Sequence, residues 1–114
     1  MHNSAFTPLG PTFFVDSTAP VFIGRPVLNI SCTSYRIRNL TAASGYISWM
    51  PRNATNTTPA TFTSAAPTAN TPATNTIGFP SSAVGEAIGT FSLPSECWFI
   101  ASAGTFEITP GEGR

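Results

Sequence analysis

The sequence predicts an all-β protein: a small β-sandwich or jelly roll with an extended N-terminal arm and a long Thr/Pro/Asn-rich loop. Short apolar runs are separated by turn residues along most of the chain. Several of these runs alternate apolar and polar residues, which is the period-two signal of half-buried strands. The 11 prolines and 9 glycines in 114 residues interrupt any helical repeat. This combination is typical of a two-sheet β fold.

Residues 1–20 are predicted to form an extended arm. Prolines at positions 8, 11 and 20 prevent a helix and disfavour a central strand. The large aromatic residues of this segment are Phe6, Phe13 and Phe14. An arm of this kind is ordered only when a neighbour holds it. We therefore expect residues 21–114 to be a single β-sandwich domain and the arm to contact another subunit.

The next segment contains short β-branched runs. Val21–Ile23 and Val27–Cys32 are strand candidates on either side of a Gly- and Pro-containing break. Tyr35–Leu40 and Tyr46–Met50 follow, joined by a short connection that contains Gly45. This arrangement predicts a β-hairpin.

Residues 51–75 differ in composition from the rest of the chain. They are mostly Thr, Ala, Asn, Pro and Ser, and Phe62 is their only large apolar residue. Such a segment buries too little apolar surface to form a core. A loop of this length is usually a lid, a binding loop or an extended arm, and Thr-Pro-rich sequence favours a polyproline II conformation that lies along a neighbour. The alternative is a surface loop without a role.

Three apolar runs lie within Ile88–Pro110 and are separated by short turns. They are Ile88–Leu93, Cys97–Ala101 and Thr105–Thr109. The first and third alternate, whereas the middle run is apolar on both faces, which favours a central or doubly covered strand. The short turns predict a three-stranded antiparallel meander that nucleates the fold.

The composition excludes some partners. Hydrophobic residues make up 41% of the chain and charged residues only 9%, against roughly 25% in ordinary domains. The net charge is zero, which argues against nucleic acid as a partner and favours association with protein. No apolar run approaches the ~18–20 residues of a membrane span, and the first residues lack a signal-peptide pattern.

The ionisable residues do not form a recognisable catalytic set. His2 is the only histidine and Asp16 the only aspartate, so neither a catalytic triad nor a histidine metal site is expected. Cys32 and Cys97 could form a disulfide, but two free thiols packed as small hydrophobic side chains are favoured. We therefore predict that the protein is not an enzyme and holds no cofactor or metal.

Arg36 and Arg38 lie on one face of a predicted strand, beside Leu40. One interpretation is a contact between their planar guanidinium groups and acidic groups of a partner subunit. The equal alternative is a solvated strand face on which an arginine pairs with Glu107.

A carbohydrate-binding sandwich of a secreted protein is the alternative from another functional class. Trp49 and Trp98, with Tyr35 and Tyr46, could form a platform on which sugars stack. The Asn-X-Ser/Thr sequons fit a secreted glycoprotein, although the abundance of Ser and Thr produces such matches by chance. The more common role of such aromatic residues is core packing.

The segments YRIRNLTAASGYISW, IGTFSLP and GTFEITPGEG together resemble a group of small structural proteins of tailed bacteriophages. The matching positions are Arg36, Ile37, Asn39, Ala43, Gly45, Ile47, Phe91, Leu93, Pro94, Gly104, Thr105, Ile108 and Thr109 to Gly113. This resemblance implies a β-sandwich or jelly roll on the virion, and specifically a capsid decoration or cement protein. The alternative within the same class is a head–tail connector, tail or head-fibre base component.

The resemblance also implies partners and a location. The protein would assemble in the host cytoplasm, bind the major capsid protein shell at the capsid surface, and stabilise the shell as a homo-oligomer, with a trimer expected. Trp98 and Phe99 point to opposite faces of their strand, so one is expected in the core and the other at a neighbouring subunit. The residues expected to contact partners are Phe6, Phe13, Phe14, Arg36, Arg38, Phe62 and Phe99.

Overall fold

The computed structural model describes residues 6–24, 32, 34–51, 75–80, 87–94 and 96–113. These residues contain nine β-strands and no helix, and the strands form two antiparallel sheets. The strands are β1 (Thr7–Pro8), β2 (Phe13–Val15), β3 (Val21–Ile23), β4 (Ser34–Asn39), β5 (Gly45–Pro51), β6 (Thr76–Phe79), β7 (Ile88–Phe91), β8 (Cys97–Ala101) and β9 (Phe106–Glu112).

The strand order is that of a jelly roll. Sheet A has the order β1-β9-β4-β7, with β2 also pairing with β9, and sheet B has the order β3-β8-β5-β6. Four antiparallel pairs correspond to one long hairpin. They are β2 with β9, β3 with β8, β4 with β7 and β5 with β6. Rolling this hairpin adds the pairs β4 with β9 and β5 with β8. The all-β sandwich or jelly roll predicted from the sequence is confirmed.

The core lies between the two sheets. Tyr35 of sheet A packs edge-on against Phe99 of sheet B, with ring centroids 5.1 Å apart. Phe106 of sheet A packs against Phe79 of sheet B at 5.3 Å. The hydroxyl of Tyr35 donates to the carbonyl oxygen of Pro94 at 2.7 Å, so this buried polar group is satisfied. The ring pairs thus join the two layers.

The predicted meander over Ile88–Pro110 is wrong in its pairing. The three runs are strands as expected, but β7 and β9 lie in sheet A while β8 lies in sheet B. β8 lies between β3 and β5, which agrees with the central strand predicted from its apolar character. The turns therefore carry the chain from one sheet to the other. At the turn before β9, Gly104 has a φ of +76°, a conformation that glycine adopts without strain.

The predicted hairpin is also wrong, because β4 belongs to sheet A and β5 to sheet B. Asn39 organises the corner between them. Its Oδ1 accepts hydrogen bonds from the backbone N–H and the hydroxyl of Thr41, and its Nδ2 donates to the carbonyl of Ala43 at 3.0 Å. Because Asn39 is fully buried in these contacts, its sequon is not a glycan acceptor in the folded chain.

The described part of the N-terminal segment belongs to the sandwich and is not a free arm. β1 and β2 pair with the edge of β9 that β4 leaves open. Val15 is fully buried in the core, so the domain includes residues before the predicted boundary at residue 20. Pro8 is tolerated because β1 is an edge strand, and Pro11 and Pro20 lie between strands. Two predicted segments lie almost entirely outside the described residues. They are the loop over residues 51–75, which contains Phe62, and the strand at Val27–Cys32.

Candidate interaction surface

The outer face of sheet A carries three of the seven residues predicted to contact partners: Phe14, Arg36 and Arg38. We call this surface the sheet A face. It is formed by side chains that alternate with the core positions of β2, β4, β7 and β9: Phe14, Arg36, Arg38, Ile88, Thr90, Glu107 and Thr109. A hollow of about 270 Å³ on this face is lined by Arg36, Arg38, Ile88, Glu107 and Thr109.

Four residues of the sheet A face form one row across four strands. Phe14 of β2 is opposite Glu107 of β9, Glu107 is opposite Arg38 of β4, and Arg38 is opposite Ile88 of β7. We call these residues the central row. Among the described residues, Phe14 and Ile88 are the exposed large hydrophobic residues, at 58% and 53%. Both therefore lie at the ends of the same row.

An ion pair occupies the middle of the central row. Arg38 Nη2 donates to Glu107 Oε1 at 2.5 Å, and the side chains are 42% and 34% exposed. The pairing of an arginine with Glu107 that the sequence suggested is present, and the contact of Arg36 and Arg38 with a partner stays a prediction. A pair so exposed to solvent contributes little to stability. The two charges remain accessible to a partner.

Arg36 lies beside the central row and is held by two neighbours. Its guanidinium carbon is 4.5 Å from the centroid of the Phe6 ring, within the range of a cation–π contact. Its Nε donates to the hydroxyl of Thr90 at 3.4 Å. The Phe6 ring also lies against Gly111, where a Cβ would be only 2.5 Å from Phe6 Cζ. Phe6 thus covers the face of Arg36 and contacts its own chain.

Phe13 and Phe99 do not lie on this surface. Phe99 is fully buried and packs against Tyr35 in the core, so its predicted role in partner contact is corrected. Its neighbour Trp98 occupies the outer face of sheet B, where it packs on Phe22 at 5.1 Å. Phe13 is opposite Ile108 and packs partly against the core. Of the seven predicted residues, Phe62 lies outside the described residues.

The predicted aromatic platform is not assembled. Trp49 is opposite Phe99 and therefore faces inward, whereas Trp98 is opposite Met50 and faces outward. Residues opposite each other in adjacent strands share a face, so the two indoles lie on opposite faces of sheet B. Tyr35 is fully buried. A common sugar-stacking surface from these side chains is absent.

The two described thiols are buried in the core. Cys32 and Cys97 do not form a disulfide with each other, as favoured by the sequence. Burial, followed by the charge of Cys32, raises the pKa of Cys97 to about 12, so the thiolate is disfavoured at neutral pH. Within the described ranges, no three His, Cys, Asp or Glu residues are grouped closely enough to hold a metal ion.

Comparisons with protein-family models, curated proteins and solved structures found no match. In the described part of the chain, no helix has the length and apolar character needed to cross a membrane.

Proposed function

We propose that this chain is a structural protein of a tailed-phage virion, specifically a capsid decoration or cement protein that binds the major capsid protein shell and stabilises it. The resemblance of its three sequence segments to phage structural proteins supports the identity of the class. The sheet A face supports the mode of action. It presents two exposed apolar side chains around accessible charges, and the chain as a whole has zero net charge.

The proposed mechanism is mechanical. The two sheets and their shared core form a rigid body, and side chains on its outer surface contact neighbouring virion subunits. The described N-terminal segment contributes Phe14 to the sheet A face and does not extend away from the domain. Partner contact is thus assigned to a preformed surface, which avoids the entropy cost of ordering an arm.

The alternatives within the class are a head–tail connector, a tail component and a head-fibre base protein. They use the same kind of rigid contact surface and differ in position on the virion. The carbohydrate-binding alternative is disfavoured because the indoles of Trp49 and Trp98 lie on opposite faces of sheet B. Binding of the purified chain to a glycan array would restore it.

Cryo-electron microscopy of virions tests this proposal. Virions of the phage that encodes the chain would be compared with virions from which its gene has been deleted. Decoration predicts difference density on the outer shell surface, repeated with the symmetry of the capsomers. Density at the connector, tail or fibre base would support the alternatives, and the absence of the chain from virions would contradict the whole class.

Removal of residues 1–15 does not test the proposal cleanly. The deletion would remove β1 and β2 from the edge of β9, and Val15 from the core. Point substitutions of exposed residues, such as Phe14→Asp, leave the strand pairing in place and are preferable.

A further inference from the structure

The central row is self-complementary. Across the four strands its order is apolar, acidic, basic, apolar: Phe14, Glu107, Arg38, Ile88. A half-turn about an axis that runs parallel to the strands, between β9 and β4, places a second sheet A face on the first in reversed order. Phe14 then lies opposite Ile88 of the second copy, and Glu107 lies opposite Arg38 of the second copy.

We infer that two copies of this chain associate through their sheet A faces about this axis and form an isologous dimer. Each apolar contact covers side chains that are more than half exposed in the single chain. Each charge gains an opposite charge from the other copy and keeps its partner within its own chain. Two sheets packed in this way lie about 10 Å apart with their strands within about 30° of each other, a common packing geometry.

The order of charges selects this axis over the other in-plane choice. A half-turn about an axis along the row would place Arg38 against Arg38 of the second copy. It would also place Glu107 against Glu107 of the second copy. Like charges brought together at an interface strongly disfavour association. The trimer implied by the resemblance requires contact between two different patches, whereas the central row matches itself.

Phe6 fits the same arrangement. Its ring lies over the boundary between β9 and β4, against Gly111 and the Arg36 guanidinium. The axis passes along this boundary, so Phe6 of one copy contacts Phe6 of the other copy. The contact area is small, because strands about 4.8 Å apart give a row about 14 Å long. The dimer therefore belongs with weak interfaces and depends on concentration.

This inference rests on the proposed function and names a second copy as the partner that covers the sheet A face of the free chain, so dimerisation and shell binding compete for the same surface. Its test uses the isolated chain and measures association without capsid shells. Dimerisation and shell binding can therefore fail independently of each other.

The test is sedimentation velocity of the full chain from low to high micromolar concentration. Glu107→Arg and Arg38→Glu are prepared separately, with Glu112→Arg as a control on the same strand but outside the row. In the dimer of either single variant, residues 107 and 38 of opposite copies carry the same charge at both contacts. The dissociation constant of that dimer should therefore rise at least about tenfold. A one-to-one mixture of the two variants restores opposite charges at both contacts and should form a heterodimer.

Phe14→Asp provides a second variant that leaves the ion pair intact, and its dimer should also weaken at least about tenfold. Circular dichroism and melting curves establish that every variant is folded. A wild-type monomer at all concentrations, or a trimer, would overturn the inference. So would unchanged association of Glu107→Arg or Phe14→Asp, weakened association of the Glu112→Arg control, or a mixture that fails to form heterodimers.

Discussion

The guanidinium of Arg38 donates to the carboxylate of Glu107 across the boundary between β4 and β9. This pair separates Phe14 and Ile88 and is partly exposed, so it lies at a surface available to partners. Its position follows from the register of the two strands. The same register places the alternate residues of β4 and β9 in the core.

We predict that the ion pair itself contributes little to folding. A double-mutant cycle of Arg38→Ala and Glu107→Ala should give a coupling energy below about 1 kcal/mol, because solvent screens both charges. Urea unfolding of the four proteins, at a concentration where the chain is monomeric, measures this energy. A coupling energy well above that limit would mean that the pair is buried by other parts of the chain.

Phe99→Ala should destabilise the protein by about 3–5 kcal/mol, because a fully buried ring is removed from the core. Phe14→Ala is the matched control and should change the free energy of unfolding of the monomer by no more than about 0.5 kcal/mol. Chemical denaturation measures both values. Similar effects of the two substitutions would contradict the assignment of Phe99 to the core and of Phe14 to the surface.

Tyr35→Phe should cost about 1 kcal/mol, because the hydrogen bond to the Pro94 carbonyl is lost. The cost is moderate because the Cys97 thiol still donates to that carbonyl, at 3.3 Å. Tyr46→Phe, on a half-buried tyrosine of β5, is the control and should change the stability less. The melting temperatures of the three proteins rank the effects, and a larger loss for Tyr46→Phe would be inconsistent with the described core.

The stability should decrease at alkaline pH. Burial raises the pKa of Cys97 from its ordinary value of 9.0 to about 12, and burial with a hydrogen bond to Cys32 raises the pKa of Tyr35. Above pH 9 the unfolded chain releases protons that the folded chain retains. Stability is therefore full below that pH and is lost toward pH 12, with a slope of up to about 1.4 kcal/mol per pH unit per group.

Denaturant titrations at a series of pH values measure this slope. Cys97→Ser keeps a hydrogen-bond donor near Pro94 and should have a shallower slope between pH 9 and 12. An identical slope in the variant would show that Cys97 does not cause the pH dependence.

Side-chain alternation predicted the strands and their faces but not their partners. The pattern of β4 placed Arg36 and Arg38 on one face, and the alternate residues Tyr35, Ile37 and Asn39 are fully buried on the other. Short turns suggested local hairpins, yet most turns of this fold connect the two sheets. A period of two determines which face a side chain occupies, whereas the choice of neighbouring strand depends on packing between residues far apart in sequence.

The candidate surface was predicted in part. Phe14, Arg36 and Arg38 were expected at a partner contact and lie together on the sheet A face. Ile88 was not recognised, since its place in the row depends on its register with Arg38. Phe99 was misplaced because β8 is apolar on both faces, so its sequence does not reveal which side faces the core.

The most direct test of the proposed function is binding of the purified chain to capsid shells that lack it, measured by co-sedimentation. The account predicts saturable binding with a fixed number of copies per capsomer, together with a higher temperature of shell disruption. It also predicts that Phe14→Asp binds with lower occupancy while remaining folded. Absence of binding by the folded wild-type chain across its soluble concentration range would contradict the proposal.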